Sequence, residues 1–269
     1  MRFTVVTACR NAAATLAETL ASVDAQRDAP GVELEHIVLD GGSTDETPRI
    51  LRERAAPWRT VVGGRDAGPA DAINKGFARA TGEVLSWLNA DDLYAPGALG
   101  RVAEAFAKRP SAAAFFGRCP VIDASGREIR RPITRFKELW HPVSCRFLVQ
   151  TLNYVCQPAL FFRRGAWEGA GPLRLDLAAA WDYDFLLRLW RQGPVRPLGG
   201  APLAYFRWTP GSISGSGFER QFAEELAIAR ADAGRLSPQA LLHAGVRAGI
   251  VAIYGAMARR NAGRGRGRP

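Results

Sequence analysis

No apolar run in the 269 residues reaches the roughly 18 that a membrane-spanning helix needs, so a spanning protein is not expected. The start, MRFTVVTA, lacks the basic-then-apolar pattern of a secretory signal, and the expected setting is the cytoplasm. Cysteine is scarce: Cys9, Cys119, Cys145 and Cys156 form no CxxC and do not pair with the three scattered histidines, which leaves neither a zinc site nor a disulfide framework. Two phosphate cradles are missing as well. No GxGxxG follows the first apolar run and no GxxxxGK[ST] occurs, which excludes a dinucleotide dehydrogenase and a P-loop NTPase. Acids are outnumbered, 26 against 36 basic residues, and the resulting charge of +10 attracts phosphates, nucleic acid or anionic lipid. Arg260, Arg264, Arg266 and Arg268 carry part of that excess in a Gly-rich stretch that cannot pack, so 261–269 is expected to be a disordered basic tail.

What is present suits a sizeable core, with 47% apolar residues. The run Phe3 to Ala8 reads as a buried parallel strand, followed by helical spacing at Ala13, Leu16, Leu20 and Val23. His36 to Leu39 is a second strand, ending in Asp40 and the loop GGST, with Thr47 as N-cap and Pro48 in the first turn of the next helix. Thr60 to Val62 is a third strand, opening through GGRDAGP into a helix that puts Ile73, Phe77 and Ala80 on one face and Asn74 on the other. Alternation of this kind predicts an α/β fold with a mostly parallel sheet flanked by helices. A helix after Pro96, a strand at Ala113 to Gly117 and a hairpin turn at Asp123 to Gly126 make the second half mixed. The basic stretch Arg127 to Arg146 reads as an irregular loop over the sheet, with acceptor contact as its alternative. Gln157 to Phe162 reads as a strand and Ala180 to Trp190 as a helix. From Ser237, Leu241, Leu242, Val246, Ile250, Ile253 and Tyr254 recur at helical spacing beside Arg247, Arg259 and Arg260. This helix either docks on the main domain or lies on an anionic membrane surface.

In GEVLSWLNADDLY, Gly82 to Tyr94, an apolar strand stops at Asn89, Ala90, Asp91 and Asp92. Adjacent carboxylates at a strand end are costly unless a cation or hydrogen bonds neutralise them. Asn11, Asp40, Asp66 and this cluster all follow strand ends, where ligands of such sheets bind. A hard divalent ion on Asp91 or Asp92, sharing its shell with a diphosphate, suits displacement at carbon with a nucleoside diphosphate leaving, and a separate carboxylate must then deprotonate the incoming hydroxyl.

The series TACRNAAATL, HIVLDGGSTDET, DAGPADAINKGF, GEVLSWLNADDLY, CQPALFFRR and WDYDFLLRLW, in this order, resembles the family 2 glycosyltransferases with the GT-A fold, over about residues 1–215. The resemblance implies a catalytic domain at 1–215 and a C-terminal helical extension at 216–260. It implies inverting transfer of a sugar from a nucleotide-sugar to an acceptor hydroxyl, dependent on Mn²⁺ or Mg²⁺; the basic C-terminal helix and tail add the expectation of a glycan or glycolipid acceptor, in cell-envelope or exported polysaccharide synthesis at the inner face of the membrane. By position it assigns nucleotide-sugar contacts to Thr7, Cys9, Asn11, Asp40, Gly41, Asp66, Asn74, Asn89 and Asp91, and metal ligation to Asp91 and Asp92. Asp182 is the implied catalytic base with Asp184 as fallback, and Gln157 and Trp181 lie on the acceptor side. Asp40 suits a uracil imide, which favours UDP. Two departures stand out: Asn89 replaces the first carboxylate of a DxD-like motif, and Thr209 stands in FRWTPGSIS where the family often has His, leaving Ser212 and Ser214 as phosphate donors. The alternative from another class is a degenerate GT-A-fold protein that binds anionic lipid or nucleic acid through its basic surface; the transferase reading includes no specific nucleic acid. A nucleotidyltransferase would need a glycine-rich Arg/Lys loop after its first strand, which is missing.

Overall fold

The computed structural model describes residues 1–209 and 218–249. Three repeats of strand, loop and helix and a fourth strand open the chain: β1 (Arg2–Cys9), α1 (Leu16–Asp24), β2 (Glu33–Asp40), α2 (Thr47–Glu53), β3 (Arg59–Gly63), α3 (Pro69–Phe77), and β4 (Val84–Trp87). There follow β5 (Leu93–Tyr94), α4 (Ala98–Lys108), β6 (Ala114–Gly117), β7 (Val121–Ile122), β8 (Glu128–Ile129), α5 (Arg131–Glu138) and α6 (Arg146–Thr151). After them come β9 (Leu160–Arg163), α7 (Arg164–Ala170), α8 (Trp181–Leu189), β10 (Val195–Leu198) and β11 (Ala204–Arg207). A helix at Phe218–Ala233 and another over 238–249 end the described chain.

The central sheet has seven strands in the order β10-β6-β9-β4-β1-β2-β3. Only β9 runs antiparallel to its neighbours, β4 and β6. The mixed α/β fold with a mostly parallel sheet is therefore as the residue pattern predicts. Long apolar runs mark β1, β2 and β4 because both of their faces are covered. Beneath α3 and α8, Phe77, Trp87, Phe162 and Phe185 meet largely edge to face, with ring centroids 5.0–6.1 Å apart. The helix Phe218–Ala233 adds Ile228 and Ala229 to the same core. A second, four-stranded sheet in the order β5-β11-β7-β8 caps the end of β4.

Three local expectations change. Thr47 is the first helical residue of α2 rather than its cap, and its hydroxyl accepts the Ala12 N–H at 2.8 Å instead. Gln157 to Phe162 is split: Gln157–Ala159 forms a 3₁₀ turn before β9, since Pro158 fixes its φ and offers no N–H to a ladder. The basic stretch is not an irregular loop throughout, because Pro132 opens the helix α5 in its middle. The helix over 238–249 docks through Ala240 and His243, both buried, while Leu241 and Leu242 stay exposed. Ser212, Ser214, Ile250, Ile253, Tyr254 and the tail lie outside the described residues.

Candidate active site

The register of β1, β2 and β3 aligns Cys9, Asp40 and Gly63 in one row, so the loops that follow share one edge. Those loops are tied to each other. Gly41 N donates to Cys9 O at 2.9 Å, and Asn11, in the left-handed region at φ 51°, accepts the Thr44 N–H on Oδ1 at 2.8 Å. Asp40 uses Oδ1 for the Ser43 N–H and hydroxyl, at 3.0 and 2.6 Å, which holds its carboxylate at the rim. Asp66 Oδ1 accepts the Gly68 N–H at 3.0 Å. Arg10, Gly41, Gly42, Thr44, Arg65 and Asp66 line a cavity of about 400 Å³, with two cations, one carboxylate and open backbone. A Cβ on Gly41 would fall 2.5 Å from Asp66 Oδ2, so any larger residue there must displace the Asp66 carboxylate.

Three expected contacts lie elsewhere. Thr7 is fully buried, and its hydroxyl meets His36 Nε2 at 3.0 Å inside the sheet. His36 is held neutral there: burial, together with the Arg59 charge, pushes it down to about 3. Cys9 packs among Leu16, Leu20, Val38 and Leu51, and burial pushes its thiol up to about 12, helped by Asp40, Asp45 and Asp66. Asn74 has both amide atoms engaged by the Leu173 backbone, at 2.9 and 2.8 Å, so it fastens a distant loop instead of facing the cavity.

At the end of β4 the two carboxylates part company. Asp92 is fully buried; Oδ1 accepts the Arg207 N–H at 2.9 Å and Oδ2 the Asn89 amide at 3.0 Å. Burial and the neighbouring Asp91 raise its carboxyl well above the usual range. Asp91 is only half-buried, and burial raises it too, against the pull of Arg207. The Arg207 head is nevertheless occupied: Nε donates to Asp91 O at 2.9 Å, one terminal nitrogen to Asp123 O and Ala124 O, and the other to Glu18 at 2.5 Å. Among the described residues no group of three or more His, Cys, Asp or Glu could cage a metal. The donor set fits a hard cation shared with a ligand, through the Asp91 carboxylate alone, and Asp92 supports the turn rather than the ion.

On the other side, Gln157 Nε2 donates to Trp87 O at 2.7 Å and its Oε1 lies 3.5 Å from the Asn89 amide, joining the start of β9 to the acidic turn. Trp181 is buried against Trp87, with ring centroids 5.8 Å apart, so it floors this region instead of presenting a face. Asp182 is half-buried, and its Oδ1 accepts the Tyr183 N–H at 2.8 Å. Burial pushes its carboxyl up to about 7, and the charge of Glu225 adds to the rise while Lys137 opposes it. Asp184 is no free base: Arg188 lies 2.8 Å and Arg174 3.5 Å from its oxygens.

Sequence reading missed Arg207 and two neighbours on the helix Phe218–Ala233. The Glu224 carboxylate accepts the N–H groups of Ala178, Ala179 and Ala180 at 3.1, 2.8 and 3.1 Å, satisfying the exposed start of α8 just before Asp182. Glu225 is buried, with Asn153 and Gln221 each 3.1 Å from Oε1, and burial raises its carboxyl. For Arg207 a signal existed, an arginine inside the aromatic run YFRW; for Glu224 and Glu225, 42 and 43 residues from Asp182, there was none.

Residues 4–169 match the family model described as Glycosyl transferase family 2. The O-antigen biosynthesis protein RfbC of Myxococcus xanthus is 34% identical over 180 residues, 65% of this chain. The chain spans 13% of the length of that relative and 54% of a second curated relative. Among solved structures, S. aureus TarS 1-349 in complex with UDP-GlcNAc covers 86% of this chain and 66% of its own, with TM-score 0.66 at 19% identity. The mannosyltransferase PcManGT of Pyrobaculum calidifontis, in complex with GDP-Man and Mn²⁺, covers 95% and 80%, with TM-score 0.63 at 20% identity. These two share the fold.

Proposed function

The chain belongs to glycosyl transferase family 2, and we propose that it moves a sugar from a nucleoside-diphosphate donor, by preference UDP-linked, to an acceptor hydroxyl with inversion at the anomeric carbon. The observation that carries this reading is Asp182, a carboxyl brought to about 7 at the start of α8, next in sequence to Trp181, which packs on the Trp87 whose carbonyl Gln157 holds. A base poised near neutrality can take a hydroxyl proton as that oxygen attacks. Asp40, with Oδ1 held by Ser43, keeps Oδ2 for a base N–H, and Arg10 and Arg65 offer charge to phosphate. Asp91 would hold Mn²⁺ or Mg²⁺, whose role when bound is to neutralise charge on the departing diphosphate. Glycan or glycolipid acceptors of the cell envelope, met at the inner face of the membrane, are the substrates we infer; the similarity to an O-antigen biosynthesis protein of M. xanthus supports a cell-envelope acceptor.

Activity should fall as pH drops through about 7, because the protonated form of Asp182 cannot accept a proton. Glu225→Gln removes a charge that raises Asp182, so the acid limb of the kcat/KM profile should move to lower pH, whereas an unmoved limb would detach Glu225 from the base. A thermal-shift screen of nucleotide-sugars identifies the donor, since binding raises apparent stability by mass action. UDP-sugars with Mn²⁺ should raise the melting temperature, and Mn²⁺ alone should bind about tenfold more weakly than with UDP, because one carboxylate is a poor cage. Equal metal affinity with and without nucleotide would remove Asp91 from the role.

A further inference from the structure

The segment from α5 to α6 carries apolar side chains that nothing among the described residues buries. Ile133, Phe136, Leu139, Val143 and Phe147 follow one another at intervals of three or four residues along α5, the turn after it and α6, and all five are exposed, Leu139 by 70% and Val143 by 60%. Phe136 meets Trp140 edge to face at 6.1 Å, which keeps the aromatic part of the stripe together. The same stretch is cationic: residues 127–147 hold Arg127, Arg130, Arg131, Arg135, Lys137 and Arg146 against two acids, Glu128 and Glu138. The helix over 238–249 adjoins it, since His243 Nδ1 lies 3.0 Å from the carbonyl of Gln150, three residues beyond Phe147, and the exposed Leu241 and Leu242 precede His243 directly.

Several large apolar side chains exposed on one short segment mark an interaction site, and its charge selects the partner. A second copy of the chain would bring one cationic stretch against another. An anionic bilayer offers the opposite charge together with an apolar layer shallow enough for Phe, Leu and Val side chains. No helix among the described residues is long and apolar enough to cross a membrane, so the contact would be with the surface. Lys137, on α5, lies 3.7 Å from Cys156 Sγ, next in sequence to Gln157 on the acceptor side.

We infer that α5 and α6, with the adjoining face of the helix over 238–249, dock on an anionic membrane surface and turn the acceptor side of the site toward it. The docking stands on exposure and charge; the further step, that the acceptor is carried on a membrane lipid, rests on the transferase reading.

Co-sedimentation with vesicles of phosphatidylcholine, with and without phosphatidylglycerol, tests the docking. The full chain should bind the anionic vesicles at least about tenfold better than the neutral ones. Phe136→Ser with Leu139→Ser should lower that binding about tenfold, and Arg131→Glu with Arg135→Glu should do the same. The stripe positions, Arg131 and Arg135 are all exposed, and the Arg131–Glu128 pair that the charge variant breaks is a surface pair worth little, so melting temperature and UDP binding should be nearly unchanged in both variants, which separates docking from folding. Equal binding to both vesicle types, unaltered binding by both variants, or a concentration-dependent dimer that the Phe136/Leu139 variant dissociates would overturn the inference. UDP binding that persists in any of those cases leaves the transferase reading standing.

Discussion

Asp182→Asn is expected to lower kcat by about 10²- to 10⁴-fold, the range attributed to a lost general base. Donor affinity should stay within about twofold, since that change is under 0.5 kcal/mol. The amide is nearly isosteric and keeps an oxygen for the Tyr183 N–H, so α8 need not move. What it loses is the ability to take a proton at neutral pH. The cavity of Arg10, Gly41, Thr44 and Asp66 is built from loops after β1, β2 and β3 and does not include α8. A fall in kcat at constant donor affinity therefore isolates proton transfer, whereas a loss of donor affinity at constant kcat would move the base elsewhere. Asp184→Asn should instead reduce stability, because it would leave Arg188 without its closest carboxylate.

Arg207→Ala is expected to cost about 3–5 kcal/mol of stability, roughly 1–2 kcal/mol for each of three carbonyl acceptors left without its donor, since its ion-pair partner Glu18 is exposed and adds little. The residue is 1% exposed, and its guanidinium serves the carbonyls of Asp91, Asp123 and Ala124 and the carboxylate of Glu18. Removing it strands three backbone acceptors beneath the acidic turn. For a chain of this size the loss corresponds to about 10 °C in melting temperature. Arg207→Lys should recover only part, since one ammonium cannot reach acceptors spread around a planar fork. Melting unchanged in Arg207→Ala would mean that the small sheet does not hold the turn. Metal-dependent nucleotide binding should fall with it even where the protein remains folded, because Asp91 loses its support.

Much of the edge was legible because buried parallel strands are written as unbroken apolar runs, and the polar residue that ends each run marks the ligand-binding side. Asp40, Asp66 and Asp91 were placed at that edge in this way, and the structure puts each at or just after the end of its strand. The same continuity hid Thr7: with both faces of β1 covered, no alternation tells an inward hydroxyl from one at the rim. Asn74 was read as a ligand because it lies on the polar face of α3, yet its partner, Leu173, is 99 residues away. Asp184 was readable in principle, since Arg188 follows at the i,i+4 spacing of a helical ion pair. Glu224 and Glu225 were not, because only the packing of the helix Phe218–Ala233 against the start of α8 brings them to Asp182.

The central claim is that this edge and Asp182 together perform sugar transfer. Its most direct test is nucleoside diphosphate release from a panel of nucleotide-sugars with Mn²⁺, with the wild-type chain and Asp182→Asn run side by side on the same membrane extract as acceptor. The account predicts release from one donor by the wild type, falling as pH drops through about 7, and near-complete loss in the variant that still binds that donor. Equal release by both proteins, or donor binding without release by either, would contradict it.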